Sequence, residues 1–169
     1  MTASQDTIAS LVAALSETDP AQRRVAAEKL AGLENEAGGA AVALVQAAAD
    51  PDDAVRQWAT AALEQLGPPP TDELAPLIAL LQGNPAAEVA YWATTLIGRM
   101  GADAAPAVGP LTTLLDSSAN PSARQRAAWA LGKIGPPATA AGESLERALK
   151  GSDPRLARLA SAALEQIRT

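Results

Sequence analysis

Among the side chains that could do chemistry, this sequence has carboxylates, arginines and lysines, hydroxyls and four aromatic rings (three Trp and one Tyr), but no histidine and no cysteine. Without cysteine there is no disulfide, no thiolate metal site and no thiol nucleophile. Without histidine there is no imidazole base, imidazole metal ligand or histidine pH switch. The acids gather at Asp50, Asp52 and Asp53 and at Glu34 and Glu36. Neither group has the spacing of a calcium loop. A glycosidase pair needs two acids about 5–10 Å apart in a pocket, and nothing in the spacing argues for one. Gly32 and Gly38-Gly39 lack the Gly-Lys-Ser/Thr ending and the preceding strand of a phosphate loop. The residues therefore point to a non-catalytic protein with no metal and no cofactor.

Recognition remains, and charge narrows what is recognised. Thirteen basic residues stand against nineteen acidic ones, for a formal net charge of −6 and a pI near 4.6. Nucleic-acid affinity comes mainly from Lys and Arg neutralising phosphates, so a DNA or RNA partner is not expected. The first residues, Met1 to Asp6, lack the basic and apolar regions of a signal peptide. The most apolar stretch, Ala37 to Ala49, is shorter than the roughly 20 residues a membrane span needs. A soluble, cytoplasmic protein is expected, with no membrane partner.

The elements that must position these residues repeat along the chain. Small residues recur at Ala26, Ala59, Ala93, Ala127 and Ala160, in steps of 33 or 34. Four places on come Leu30, Leu63, Ile97, Leu131 and Leu164, and three further on Leu33, Leu66, Met100, Ile134 and Ile167. That spacing puts three side chains on one helical stripe per unit. A second amphipathic helix per unit is marked by Leu11, Leu44, Leu77, Leu111 and Leu145, followed after four residues by Leu15, Ala48, Leu81, Leu115 and Leu149. Gly67, Gly101 and Gly135 stand where a helix should stop in the left-handed conformation. Asp50, like Asp19 and Asp153 before their own prolines, reads as an N-cap or first-turn charge, and Asn84-Pro85 reads in the same way. Pro76 and Pro110 fall inside first helices and are expected to kink them. Gly67-Pro68-Pro69-Pro70 reads as a stiff link rather than a polyproline ligand. The composition agrees: 48% hydrophobic residues without a single Phe suit thin, closely packed helix layers.

The strings Val55-Arg56, Pro76-Leu77-Ile78-Ala79-Leu80-Leu81 and Ala127-Ala128-Trp129-Ala130-Leu131-Gly132-Lys133-Ile134-Gly135 resemble the HEAT repeat, in particular the short variety of phycobilisome-lyase-like proteins. The resemblance covers nearly the whole chain. It implies an all-α fold, a right-handed α-α superhelix (α-solenoid) of five HEAT-like helix pairs, ten helices in all. The chain would be a single domain, 1–169, with repeats at about 4–34, 37–67, 71–101, 104–135 and 138–168. The sequence departs from the pattern at Glu34-Asn35-Glu36, where a stop glycine would stand, and at Ala90 and Ala157, where the family often has Arg. A lone unit of this size buries too little apolar surface to offset its ordering entropy, so the units must stack.

By the same resemblance the second helix of each pair lines the concave side. The positions there most nearly opposite the core stripe are Arg24, Gln57, Tyr91, Gln125 and Arg158. Aromatic and Arg side chains are favoured interface anchors. Arg24, Gln57, Tyr91, Trp129 and Arg158 are therefore the candidate partner-binding residues. Trp58 and Trp92 occupy equivalent places and read as inter-repeat packing, with an aromatic patch for a ligand as the alternative. Trp129 fits packing and binding about equally. Arg23, Arg56 and Arg124 share one repeat position and read as structural, bonding helix-start carbonyls or the Asp of a nearby turn. The expected function is a protein-protein interaction scaffold or adaptor holding a protein partner in its groove. The alternative, from the family resemblance, is the handling of a bilin or other tetrapyrrole. Di-iron hydroxylase chemistry of the helical-repeat type falls with the missing histidines, and helical-repeat DNA glycosylase activity with the acidic balance. A monomer is expected, because the last helix carries Arg155, Arg158, Glu165, Gln166 and Arg168.

Overall fold

A computed structural model describes residues 5–83 and 85–169. Ten α-helices follow one another, with no strand among the described residues: α1 Gln5–Ala14, α2 Pro20–Ala31, α3 Ala41–Ala47, α4 Asp53–Gln65, α5 Leu74–Leu80, α6 Ala87–Arg99, α7 Val108–Ser117, α8 Pro121–Ile134, α9 Gly142–Leu149 and α10 Pro154–Arg168. Short 3-10 segments, Glu34–Ala40, Thr71–Glu73, Gly101–Ala107 and Pro136–Ala141, precede α3, α5, α7 and α9. The helices form two compact units, Met1–Glu73 and Leu74–Thr169. In the first unit α2 packs along α4, with α1 on α2 and α3 on α4. In the second, α6, α8 and α10 lie side by side in one layer, and α7 and α9 back onto α8 and α10.

The repeated stripe is the core. Leu30, Leu63, Ile97 and Leu131 are fully buried and Leu164 nearly so, each above a buried alanine of the same helix. On the first helices Leu44, Leu77, Leu111 and Leu145 are fully buried as well. The stripe is less covered in the first and last pairs: Leu11 is half-buried, and Leu149 is 39% exposed.

The helix ends follow local chemistry. Asp19, Asn120 and Asp153 each sit in extended backbone before a proline and accept hydrogen bonds from the first-turn N–H groups. Asp50 does not cap a helix. The cap of α4 is Asp52, which accepts from Ala54 and Val55 N–H, and Asp50 lies outside the helix in the turn before it. Asn84 lies outside the described residues, and α6 starts only at Ala87, with Ala86 ahead of it and no side-chain cap. Gly101 and Gly135 both take positive φ, 60° and 74°, but Gly135 pairs it with a ψ of −142°, so α8 stops on an extended glycine and not on a left-handed helical one. Gly67 does not take positive φ. The chain leaves α4 in an extended conformation at Leu66, and Gly67 N–H donates to Asn35 Oδ1 at 2.7 Å. The glycine has a different reason to be small, since a Cβ there would stand 2.9 Å from that oxygen. In the first pair Glu34 itself adopts φ 50°, the one non-glycine with positive φ among the described residues. Pro76 and Pro110 kink nothing. Each is the third residue of its helix, where the missing N–H has no intrahelical acceptor to lose.

Polar pins join consecutive pairs within each unit. Arg23 of α2 grips Asp50 in the turn before α4 through two parallel bonds, Nε–H to Oδ2 at 2.7 Å and an Nη2–H to Oδ1 at 3.0 Å. Gln125 of α8 donates to Asp153, the cap of α10, at 2.8 Å. Burial works against the charge on Asp50, but the Arg23 fork, the Asp52 N–H and the charges of Arg23 and Arg56 together hold its carboxyl below the ordinary value. A carboxyl depressed in the folded state stabilises the fold above its unfolded pKa, and that stabilisation is lost as pH falls through the depressed value. The expected result is a melting temperature that drops once the pH passes below about 4, the ordinary carboxylate pKa. Asp50→Asn should melt lower than wild type at neutral pH and show a shallower acid decline. Identical pH profiles for the two proteins would mean that the pin contributes nothing to stability.

Candidate functional site

Three side chains outside the core meet on neighbouring helices of the second unit. Arg126, on α8, lies with its guanidinium carbon 4.3 Å from the centre of the Tyr91 ring on α6 and 5.0 Å from the centre of the Trp129 ring. It also donates a hydrogen bond to the Tyr91 hydroxyl. Trp92 meets Tyr91 edge to face, with ring centres 5.2 Å apart. Arg126 and Trp129 are three residues apart on one helix face, so the helix itself sets one side of this arrangement. The other side is set by how closely α6 and α8 approach. Gly98 of α6 lies against Trp129 and Ala130, and a Cβ at Gly98 would come within 2.5 Å of the indole and 3.1 Å of the Ala130 backbone.

A guanidinium over aromatic faces is attracted by their quadrupoles, and its planar fork is held in one orientation. Tyr91, Arg126 and Trp129 are each half-buried, so the cluster faces solvent while resting on the packed layer below it. Arg99, one turn beyond Thr95 on α6, has its pKa lowered, first by burial and then by the charge of Arg126. Two guanidinium groups thus lie close enough to raise each other's electrostatic energy.

Among the five candidate residues, the structure brings Tyr91 and Trp129 together through Arg126. Arg158 is exposed on α10 in the same layer of second helices. Arg24 and Gln57 are exposed on α2 and α4 of the first unit. Gln125, on the same ladder, is occupied by Asp153. Arg126 is not among the residues that the sequence pattern singles out, although its signal is present there. It is the only charge at a repeat position otherwise held by Val25, Trp58, Trp92 and Leu159. Trp58 departs from the packing expectation, being 38% exposed, whereas Trp92 is half-buried against Tyr91.

The other candidates have structural employment. Arg23 bonds the carbonyls of Glu17 and Thr18 besides Asp50, Arg56 bonds those of Asp50 and Pro51, and Arg124 that of Leu115. The acids at 50, 52 and 53 divide between the Arg23 fork, the α4 cap and a pair with Arg56. A cleft of about 730 Å³ opens between the turn before α6, α7 and the start of α8, where Pro110, Thr113, Ser117 and Asn120 line it without a titratable group. No helix among the described residues is long and apolar enough to cross a membrane.

Stacked helix pairs with a repeated internal register define a helical-repeat protein of the α-solenoid class. A family model of HEAT repeats matches residues 74–165, and the chain belongs to that family. Among solved structures it is similar to a designed armadillo repeat protein in complex with the peptide (KR)4, at 22% identity and a TM-score of 0.65, over 96% of this chain and 82% of the other. It is also similar to an engineered protein at 24% identity and a TM-score of 0.63, over 96% of this chain and 80% of that one. A third similarity is to the complex of CpcE and CpcF of phycocyanin lyase from Nostoc sp. PCC7120, at 24% identity and a TM-score of 0.52, over 98% of this chain and 66% of the other. Likeness at these identities concerns the fold alone. Among curated protein sequences none matches the chain.

Proposed function

We propose that this protein is a non-catalytic scaffold or adaptor that binds a protein partner on the face of its second helices, with Tyr91 and Trp129 as anchors. The observation that carries the reading is the half-buried cluster in which Arg126 is held over both rings. Aromatic and arginine side chains that are rigid before binding lose little entropy on contact, which is the property of an interface hot spot. The fold supports the same reading, since the designed armadillo relative is in complex with a peptide. Arg158, Arg24 and Gln57 enter the proposal as exposed residues of equivalent second helices, with smaller expected contributions.

The test is a pull-down from the native cell extract, with wild-type bait beside a Tyr91→Ala/Trp129→Ala double variant shown by circular dichroism to be folded. A protein retained by wild type, lost with the double variant and rebound by the purified chain is the expected result. Equal retention by both baits would move the binding face elsewhere. Capture of a bilin by wild type, seen as a coloured complex, would replace the adaptor reading with tetrapyrrole handling.

A further inference from the structure

The second helices of the second unit carry a charge opposite to that of the chain. α6, α8 and α10 together hold seven basic residues against two acidic ones, in a chain whose formal net charge is −6. Their backing helices α7 and α9 lean the other way, with three acidic residues to one basic. Exposed charges are screened over about 8 Å at physiological ionic strength; Arg168 is met by Glu146 of α9 at 3.6 Å and Asp153 caps α10, so the surplus that an approaching ligand meets is centred on α8.

Arg126 stands in the middle of that layer. Among the described residues no carboxylate forms an ion pair with it; its hydrogen bond goes to the Tyr91 hydroxyl. The charge of Arg126 also disfavours the charge of Arg99, which burial has already made costly. A carboxylate arriving at Arg126 would meet an oriented fork of N–H donors. Beside the fork, Tyr91, Trp92 and Trp129 offer flat apolar surface for a neighbouring side chain.

Resting on the protein-binding reading above, we infer that the partner is an acidic peptide segment, with an Asp or Glu carboxylate seated on Arg126 and an adjacent apolar side chain against Tyr91 and Trp129. Arginine matches a carboxylate with two parallel hydrogen bonds, which a lysine cannot reproduce. The acidic segment also explains why one polar residue replaces the large apolar side chains at this repeat position.

The experiment is selection of a random peptide library on the full chain at physiological salt, in parallel with Arg126→Ala and Arg126→Lys. Selected peptides are then measured one by one by fluorescence anisotropy, and a labelled oligothymidylate is titrated beside them. The expected result is a set of peptides enriched in Asp and Glu. Their affinity should fall about tenfold or more for Arg126→Ala, the size of an interface hot spot. Arg126→Lys, which keeps the charge and safeguards the fold, should weaken binding by a smaller factor, and added salt should weaken wild-type binding. Peptides without acidic enrichment, or acidic ones indifferent to Arg126→Ala, would overturn the inference while leaving the protein-binding reading in place. Retention of no peptide, with or without binding of the oligothymidylate, would overturn both.

Discussion

Leu131→Ala is expected to lower the stability of the protein by about 2–5 kcal/mol, because it empties a fully buried site that the packed helices around α8 cannot collapse to fill. Leu131 is wholly inaccessible to solvent, and α8 is the helix that α6, α7 and α10 all contact. The loss would be a large share of the roughly 5–15 kcal/mol that holds an ordinary domain together. Urea denaturation should show the midpoint moving down with little change in slope. Leu63→Ala, at the equivalent place in α4 and equally buried, should cost a similar amount. An unchanged midpoint for both variants would mean that the stripe running from Leu30 to Leu164 is not the core.

Gly98→Ala should also be destabilising, by about 1–3 kcal/mol, although alanine is the better helix former by about 1 kcal/mol. The added methyl would press on the Trp129 ring at 2.5 Å and on the Ala130 backbone at 3.1 Å. The ring can turn, but the backbone yields only if α6 and α8 move apart. Since those two helices carry Tyr91, Arg126 and Trp129, the variant should lose partner binding together with stability. Gly109→Ala is the control. It lies on α7 with nothing within 4 Å of its would-be Cβ, and it should be neutral or slightly stabilising. Equal thermal midpoints for Gly98→Ala and wild type would contradict the close approach of α6 and α8.

Much of the fold was written in the sequence because repetition multiplies a weak signal. One alanine followed by a leucine four places later says little, but an alanine followed by Leu or Ile at that spacing five times, in steps of 33 or 34, fixes a helix face in every unit. Features that vary between units were harder to read. Asp50 and Asp19 look alike before their prolines, yet α4 begins two residues later than the pattern suggests, because Asp52 competes for the cap and Arg23 claims Asp50. Gly67 looks like Gly101 and Gly135, but Asn35, a residue of the preceding pair, decides its conformation through a hydrogen bond 32 residues long in sequence. The candidate site was half legible. Tyr91 and Trp129 were visible as rare residue types, whereas Arg126 stands 35 positions from Tyr91 and became its partner only through the packing of two helices.

The backbone at Glu34 has a consequence for anyone who would lengthen this array. An L-residue with a side chain held in the left-handed region costs about 1–2 kcal/mol, and Glu34 is such a residue, at φ 50°. Present once, that cost is easily absorbed. A longer array made by duplicating the segment 4–34 would incur it with every added copy, and the new turns would be the places where the array opens. The segment 104–135 ends instead on Gly135, which adopts its φ of 74° without that penalty. It is the module to copy, and its surface carries Arg126 and Trp129 into every new repeat.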